Sequence, residues 1–187
     1  CWSLVGSEMC IRDRTNSVPT SSDDVIIPDV TNDPVLSSSS DVCKDMTIQN
    51  GAILTSNNSS YKLTASSITV NDGGSLVISS GDVEITGTSD INGILEIGTG
   101  TFDANGTFDA TDGSVTFSDA GRLELAVTVT SFGTLTELTG TVEYNGGTQN
   151  VLAEDYYNLV IDQSGNKTAQ GVILSLIHIS EPTRLQQ

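Results

Sequence analysis

The sequence predicts an all-β protein built as a parallel β-helix, a β-solenoid with coils of roughly 20 residues. Two observations support this prediction. Gly, Ser, Thr, Asp and Asn are abundant and aromatic residues make up only 5% of the 187 residues, a composition typical of strands and turns. In addition, a unit of Asn or Asp, then Gly, a spacer and alternating apolar residues recurs at a nearly constant interval.

The recurring unit marks the corners between strands. The copies that define the interval begin at Asn50, Asp72, Asn92 and Asp112, which are 22, 20 and 20 residues apart. A further copy begins at Asn105. Asn-Gly and Asp-Gly supply the positive φ that sharp corners require. Because the same dipeptides also mark two-residue hairpins, an antiparallel β-sandwich is the alternative. Short, evenly spread strands and the small number of aromatic residues favour the solenoid.

Period-two alternation within the strands predicts which side chains face the core. The residues expected to point inward are Ile68, Val70, Val83, Ile85, Ile94, Val115, Phe117, Leu123, Leu125, Val127 and Val129. The residues expected to point outward are Glu84, Glu96, Asp109, Thr116, Glu124, Thr128 and Thr130. About seven such coils at 4.8 Å spacing would make a rod of about 30–35 Å.

Both ends of the chain resemble translated sequencing-adapter sequence. The stretches 4–13 and 174–184 correspond to translations of the two complementary strands of one transposon-end adapter oligonucleotide. We therefore expect residues 1–14 and 174–187 to be non-native, which would make the chain a metagenomic fragment without its original flanks.

The remaining segment, 15–173, is then the β-solenoid fragment. Residues 15–41 are rich in turn residues and are expected to form a capping or edge segment, and residues 42–173 are expected to form the coils. The apolar stretch 174–179 can still add to the end of the stack as an edge strand.

The charge balance excludes several classes of partner. The chain has 7 Lys and Arg against 24 Asp and Glu, a net charge of −17, so nucleic acid and anionic membrane surfaces would repel it. No apolar run of about 18 residues is present, which predicts no membrane-spanning helix. Segment 15–173 has no His and one Cys, Cys43, which excludes zinc sites, His-based catalytic triads and Cys–His nucleophiles. No cofactor is expected.

Acidic residues in turns are the weak candidates for a metal site. Asp23 and Asp24, and separately Asp103 with Asp109 and Asp112, could offer the oxygen ligands that Ca²⁺ prefers. The sequence has no EF-hand loop and no glycine-rich calcium-binding nonapeptide. We interpret these residues as solvated turn acids and expect neither a metal site nor a catalytic site.

Several stretches resemble β-solenoid modules of large secreted proteins of Bacteroidota-type bacteria. Residues 18–28, Val-Pro-Thr-Ser-Ser-Asp-Asp-Val-Ile-Ile-Pro, resemble the opening of such modules, and 42–52 is similar to their first coil. Residues 140–149 and 156–161 resemble their late coils. The resemblance implies a bacterial protein located outside the cell or on its surface.

The function expected from these features is that of a non-catalytic structural or adhesive module. It would act as an acidic spacer or display rod within a large secreted or cell-surface protein, with extracellular glycans or neighbouring domains of the same chain as partners. The alternative is a fragment of a carbohydrate-active β-helix enzyme, either a polysaccharide lyase or a hydrolase. Segment 15–173 contains one Arg and three Lys, which supplies few cations for lyase chemistry.

Overall fold

The computed structural model describes residues 18–162 and 165–180, with side chains described as far as residue 173. All regular secondary structure in these residues is β-strand. The strands are β1 (Val25–Ile27), β2 (Asp41–Ile48), β3 (Ile53–Val70), β4 (Ser75–Ile85), β5 (Ser89–Ile91), β6 (Ile94–Ile97), β7 (Thr101–Ala104), β8 (Phe108–Asp109), β9 (Ser114–Phe117), β10 (Arg122–Leu125), β11 (Thr134–Thr136), β12 (Thr141–Tyr144), β13 (Gln149–Val151), β14 (Asp155–Ile161), β15 (Lys167–Ala169) and β16 (Leu174–Ser180).

The strands wind into a β-solenoid of about seven turns. Every strand pairing in the described residues is parallel, including the small two-stranded sheet of β13 and β15. The predicted all-β parallel β-helix is therefore confirmed. The antiparallel β-sandwich is excluded because its hairpins require antiparallel neighbours.

Each regular coil contributes one segment to each of three stacked ladders. Face A contains 25–27, 46–48, 68–70, 89–91 and 108–109. Face B contains 53–56, 75–78, 94–97, 114–117 and 134–136. Face C is the longest, with 41–43, 62–65, 82–85, 101–104, 122–125, 141–144, 158–161 and 178–180.

The register along face C gives the coil length directly. Leu63 lies opposite Val83, Val83 opposite Phe102, and Phe102 opposite Leu123. Successive coils therefore differ by 20, 19 and 21 residues, which confirms the predicted repeat. The variation comes from the corners, because the strand segments keep the same length.

The predicted alternation is confirmed at nine of the eleven inward positions, which are buried, and is wrong at Ile94 and Val127, which are 43% and 47% exposed. Ile94 is the first residue of β6 and pairs with Ser75 on the outer side, so Leu95 and Ile97 are the residues that enter the core. Val127 lies beyond the end of β10, where the chain turns and strand alternation no longer applies.

Glycines at the corner between faces A and B allow successive coils to touch. A Cβ on Gly93 would lie 2.3 Å from the carbonyl oxygen of Gly74, and a Cβ on Gly113 would lie 2.5 Å from that of Gly93. Only Gly51 and Gly73 among the predicted Asn-Gly and Asp-Gly corners have a positive φ. Close packing between coils, rather than positive φ, therefore explains the glycines at positions 93 and 113.

The core changes from aliphatic to aromatic along the stack. In the later coils a series of aromatic rings runs through the interior, with centroid distances of 6.1 Å from Phe102 to Phe108, 6.0 Å from Phe108 to Phe132 and 6.3 Å from Phe132 to Tyr156. The first and last pairs are edge-to-face, and the middle pair is tilted. Tyr144 and Tyr156 are also buried and their hydroxyls lie 3.3 Å apart. These large side chains fill the interior where faces A and B become irregular.

Two strands end the stack. β1, within the predicted capping segment, pairs with β2 and with no other strand of the described residues. β16 pairs with β14, in the position where an added edge strand was expected. Strand pairing does not test the origin of residues 174–187, so their assignment as translated adapter sequence stays a prediction. Residues 1–14, assigned in the same way, lie outside the described residues. The described part of the chain holds no helix of the length and apolarity that crossing a membrane would need.

Candidate functional site

The outer side of face C carries a continuous column of carboxylates. Glu84, Asp103, Glu124 and Glu143 lie directly opposite one another on four successive coils, and together they are called the acidic column here. Parallel strands are about 4.8 Å apart, so each carboxylate lies within reach of the next. The arrangement follows from alternation, because the residues on either side of Glu84, Val83 and Ile85, are buried.

Two cations contact the ends of the acidic column. The Lys62 Nζ lies 2.7 Å from the Glu84 Oε2. The Arg122 Nη1 contacts the Glu143 Oε2, and the Arg122 Nε lies 3.8 Å from the Glu124 Oε1. Arg122 lies two residues before Glu124 on β10, and Lys62 lies at the corresponding outward position on β3, one coil before Glu84. Both cations therefore neutralise part of the column from one side.

Asp103 occupies the middle of the acidic column, between the two cations. Its Oδ2 accepts a hydrogen bond of 3.0 Å from the Asn105 Nδ2. Its Oδ1 is buried and has no hydrogen-bond partner among the described residues. Burial raises the pKa of the Asp103 carboxyl and the negative charge of Glu84 adds to that effect, while the hydrogen bond from Asn105 and the charge of Lys62 oppose it.

Glu124 shows the same behaviour one coil further along. Burial raises the pKa of its carboxyl, and the negative charges of Glu143 and Asp103 raise it further against the opposing charge of Arg122. Both carboxyls line a surface depression of about 220 Å³. The depression is also lined by Lys62, Asp82, Val83, Glu84 and Thr101.

This arrangement can hold protons at a higher pH than ordinary carboxyls do. Carboxyls with raised pKa values that face solvent are also the groups from which general acids are drawn. Among the residues that the structure describes, no cluster of three or more His, Cys, Asp or Glu side chains is arranged to hold a metal ion. The raised pKa values of Asp103 and Glu124 give face C electrostatic and proton-linked chemistry.

The first pair of predicted metal candidates lies in the turn before β1. The Asp23 Oδ2 accepts hydrogen bonds of 2.8 and 2.7 Å from the backbone nitrogen and the hydroxyl of Thr20. Asp24 forms an ion pair of 3.2 Å with Lys44. Both carboxylates therefore stabilise local structure at the start of the stack.

The other three candidates are not brought together by the fold. Asp103 belongs to the acidic column on face C, whereas Asp109 lies on face A, where it pairs with Asp90. The Asp109 Oδ1 accepts hydrogen bonds from the backbone and hydroxyl of Thr111. Asp112 is exposed in the turn that follows. Asp103 thus lies on a different face from the other two.

Sequence reasoning missed the acidic column. It placed Glu84 and Glu124 on the outside but did not align them with each other or with Asp103 and Glu143. The usable signal is a carboxylate recurring at intervals of 19, 21 and 19 residues. Recognising it requires the exact length of each coil, which the corners vary by one or two residues.

A second depression, of about 650 Å³, lies near the N-terminal end of face C. Its lining by described residues consists mostly of hydroxyl groups, together with the carboxyl of Asp41 and the aromatic ring of Tyr61. The other lining residues are Val18, Ser37, Ser38, Ser39, Ser40 and Ser60. Asp41 is 2% exposed, so its carboxyl belongs to the wall of the depression rather than to its rim.

Comparison with known proteins identifies one family. The model of the G8 domain matches residues 12–139, which is more than half of the chain and extends through β11. The G8 domain is typically found in extracellular proteins. No curated protein and no solved structure matches the chain.

Proposed function

Because the chain belongs to the G8 domain family, we propose that it is a non-catalytic module of a large secreted or cell-surface protein, acting as an acidic spacer or display rod. The extracellular occurrence of the G8 domain supports the location. The resemblance of this chain to bacterial surface modules supports the larger architecture, in which neighbouring domains of the same chain flank the rod.

The unbroken ladder of face C is the observation that carries this proposal. It runs in parallel register from 41–43 to 178–180. Each coil adds about 4.8 Å and is tied to the next by strand hydrogen bonds. A stack of this kind resists bending because continuous hydrogen-bonded sheets join every coil to the coils on either side of it. Its length is set by the number of coils, which is the property a spacer needs.

The surface charge supports a role in separation and display. With a net charge of −17, each rod repels neighbouring rods and anionic surfaces over about one Debye length, which is about 8 Å at physiological salt. Uncharged extracellular glycans remain compatible partners. Adhesion to such glycans is part of the proposal, whereas binding to nucleic acid is not.

Distance measurements between spin labels test the rod. Ile26 and Thr130 occupy the same outward position on face A, five coils apart. Labels at Ile26→Cys and Thr130→Cys, with Cys1, Cys10 and Cys43 replaced by Ala, should show a narrow distribution centred near the backbone spacing of about 24 Å. The control pair Thr47→Cys and Thr130→Cys should be about 5 Å shorter. A broad distribution, or equal means for the two pairs, would contradict a stiff stack.

Recovery of the flanking gene sequence tests the architecture. Tandem solenoid modules followed by a sorting domain would support the spacer. A catalytic region continuous with these coils would overturn it.

A carbohydrate-active enzyme is the second candidate. The observation in its favour is the pair of carboxyls with raised pKa values, Asp103 and Glu124, beside one depression. Hydrolysis of a glycosidic bond uses one carboxylic acid as proton donor and one carboxylate as base or nucleophile.

An activity assay separates the two candidates. The chain would be incubated with neutral and acidic polysaccharides, and release of reducing ends and of unsaturated products would be measured. The spacer proposal expects neither product. Activity of the wild-type chain that is lost in both Asp103→Asn and Glu124→Gln would overturn the spacer proposal in favour of the enzyme.

A further inference from the structure

Four Asn-Gly dipeptides lie at corners of the solenoid: Asn50-Gly51, Asn92-Gly93, Asn105-Gly106 and Asn145-Gly146. Asn-Gly is chemically labile, because the glycine nitrogen can attack the asparagine side-chain carbonyl with little steric hindrance. The attack requires loss of the glycine N–H proton. A glycine N–H that donates a hydrogen bond within the fold must first be released by local opening.

Three of the four glycines are protected in this way. The Gly51 N–H donates to the Gly73 carbonyl oxygen at 3.0 Å, and the Gly93 N–H donates to the Val70 carbonyl oxygen at 3.0 Å. The Gly146 N–H donates to the Gln149 Oε1 at 2.8 Å.

Gly106 is different. Its N–H donates to no group in the part of the chain that the structure describes.

Asn105-Gly106 and Asn145-Gly146 form a matched pair, since both follow a strand of face C. The Asn105 Nδ2 donates to the Glu84 Oε1 at 3.4 Å, and the Asn145 Nδ2 donates to the Glu124 Oε2 at 3.4 Å. In each case the acceptor is the carboxylate of the preceding coil. Two differences remain: the glycine N–H is bonded only at position 146, and Asn105 also donates to Asp103.

We propose that Asn105-Gly106 is a site of spontaneous covalent modification, at which the folded chain converts Asn105 to aspartate or isoaspartate with water as the only co-reactant. Hydroxide removes the Gly106 N–H proton, and the nitrogen forms a bond to the Asn105 Cγ while the Cγ–Nδ2 bond breaks and ammonia leaves. Water then opens the five-membered imide. Cleavage at Cγ gives aspartate, and cleavage at the original main-chain carbonyl gives isoaspartate. No oxidant or reductant takes part.

The product changes the acidic column and the corner together. A new carboxylate replaces an amide that donates to Asp103 and Glu84, so a hydrogen-bond donor becomes a third negative charge. Isoaspartate also adds a methylene to the backbone where Gly106 packs closely on Gly87, with no room even for a Cβ. The modification therefore loosens one corner of the solenoid, and it proceeds whether or not the chain acts as a spacer.

Peptide mapping by mass spectrometry tests the proposal on the full chain. The protein would be aged in warm, mildly alkaline buffer, digested, and each Asn-Gly site scored for aspartate and isoaspartate. Asn105 should react at least about tenfold faster than Asn50, Asn92 and Asn145, because only their glycines require local opening. In urea the four sites should react within a few-fold of each other, since the protection is removed.

Two variants sharpen the test. Gln149→Ala removes the acceptor of the Gly146 N–H, so the rate at Asn145 should rise towards that at Asn105. Asn105→Asp introduces the charge without the extra methylene, so its melting temperature should lie between those of unmodified and aged protein. The proposal is overturned if any other Asn-Gly site matches Asn105 in the folded wild-type chain. It is equally overturned if Asn105 reacts in urea but stays intact in the folded chain.

Discussion

Residues next to each other in sequence lie on opposite sides of face C, and stacking them from coil to coil is favourable on the inner side and unfavourable on the outer side. Val83, Phe102 and Leu123 stack on the inside, where they are fully buried, and stacking them removes apolar surface from water. The next residues, Glu84, Asp103 and Glu124, stack on the outside and place like charges on adjacent strands.

The comparison shows that in a β-solenoid an interaction between residues in register is repeated between every pair of adjacent coils, so its energy adds up along the stack. An apolar inner column reinforces itself from coil to coil. A carboxylate outer column accumulates repulsion, which water screens and which Lys62 and Arg122 partly neutralise. The stability of the rod therefore depends on the alternation keeping these two columns apart.

The largest expected effect comes from moving a carboxylate to the inner side. Ile85 is fully buried between Ala65 and Ala104 on the neighbouring coils. Ile85→Asp should lower the free energy of unfolding by several kcal/mol or prevent folding, because the interior offers an apolar environment to an unpaired charge. Thermal unfolding followed by circular dichroism measures the loss.

The matched control for this prediction is Thr55→Asp. Thr55 is partly exposed on the outer side of face B, opposite Val77. The same new carboxylate therefore keeps contact with water, and the expected loss is at most about 1 kcal/mol. Equal losses for the two variants would show that the alternation does not separate core from surface.

The same alternation explains how much could be predicted from the sequence. The glycine-linked repeat and the two-residue period are local, so the solenoid class and most core residues follow from them. Ile94 was wrongly assigned to the core, because residues two apart in a strand share a face and Glu96 points outward. Val127 was wrongly assigned to the core because the strand ends at Leu125, so alternation does not extend to it. The acidic column needed the length of each coil, and that length is decided by how tightly each corner packs on the previous one.

Removing the cation at one end of the acidic column should have the second largest effect. Arg122 contacts Glu143, whose side chain is only 9% exposed. Arg122→Gln leaves that carboxylate buried without its ion pair, so the expected loss is about 1–3 kcal/mol. Chemical denaturation at neutral pH measures it.

A second substitution checks the cause of that loss. Glu143→Gln in the Arg122→Gln background should recover most of the stability, because the unpaired charge is then absent. A double variant as unstable as the single one would assign the loss to packing of the arginine side chain instead.

Stability should also depend on pH in a direction set by the acidic column. The pKa values of Asp103 and Glu124 are raised in the folded chain, so the folded state binds protons more tightly than the unfolded state. Lowering the pH from neutral to about 5, just above the ordinary carboxyl range, should therefore raise the melting temperature. At lower pH the trend should weaken, because Lys44 lowers the pKa of Asp45 and that stabilisation is lost on protonation.

The double variant Asp103→Asn, Glu124→Gln separates the acidic column from general charge repulsion. It should show a smaller rise in melting temperature between neutral pH and about pH 5 than the wild-type chain shows. An unchanged rise would place the pH dependence in the remaining surface carboxylates.

The smallest expected effect compares one carboxylate inside the acidic column with one outside it. Glu124 lies between Asp103 and Glu143, whereas Glu96 on face B lies between Val77 and Thr116, which are uncharged. Both residues point outward from regular strands, and Gln matches Glu in size. Glu124→Gln should raise the free energy of unfolding by a few tenths of a kcal/mol, since it removes repulsion from both neighbours.

Glu96→Gln should leave stability unchanged, and added salt should reduce the difference between the two variants because it screens the repulsion. A gain of equal size at both positions would mean that net charge matters and its alignment along face C does not. A loss at Glu124 would mean that its contacts with Arg122 and Asn145 outweigh the like charges stacked on either side.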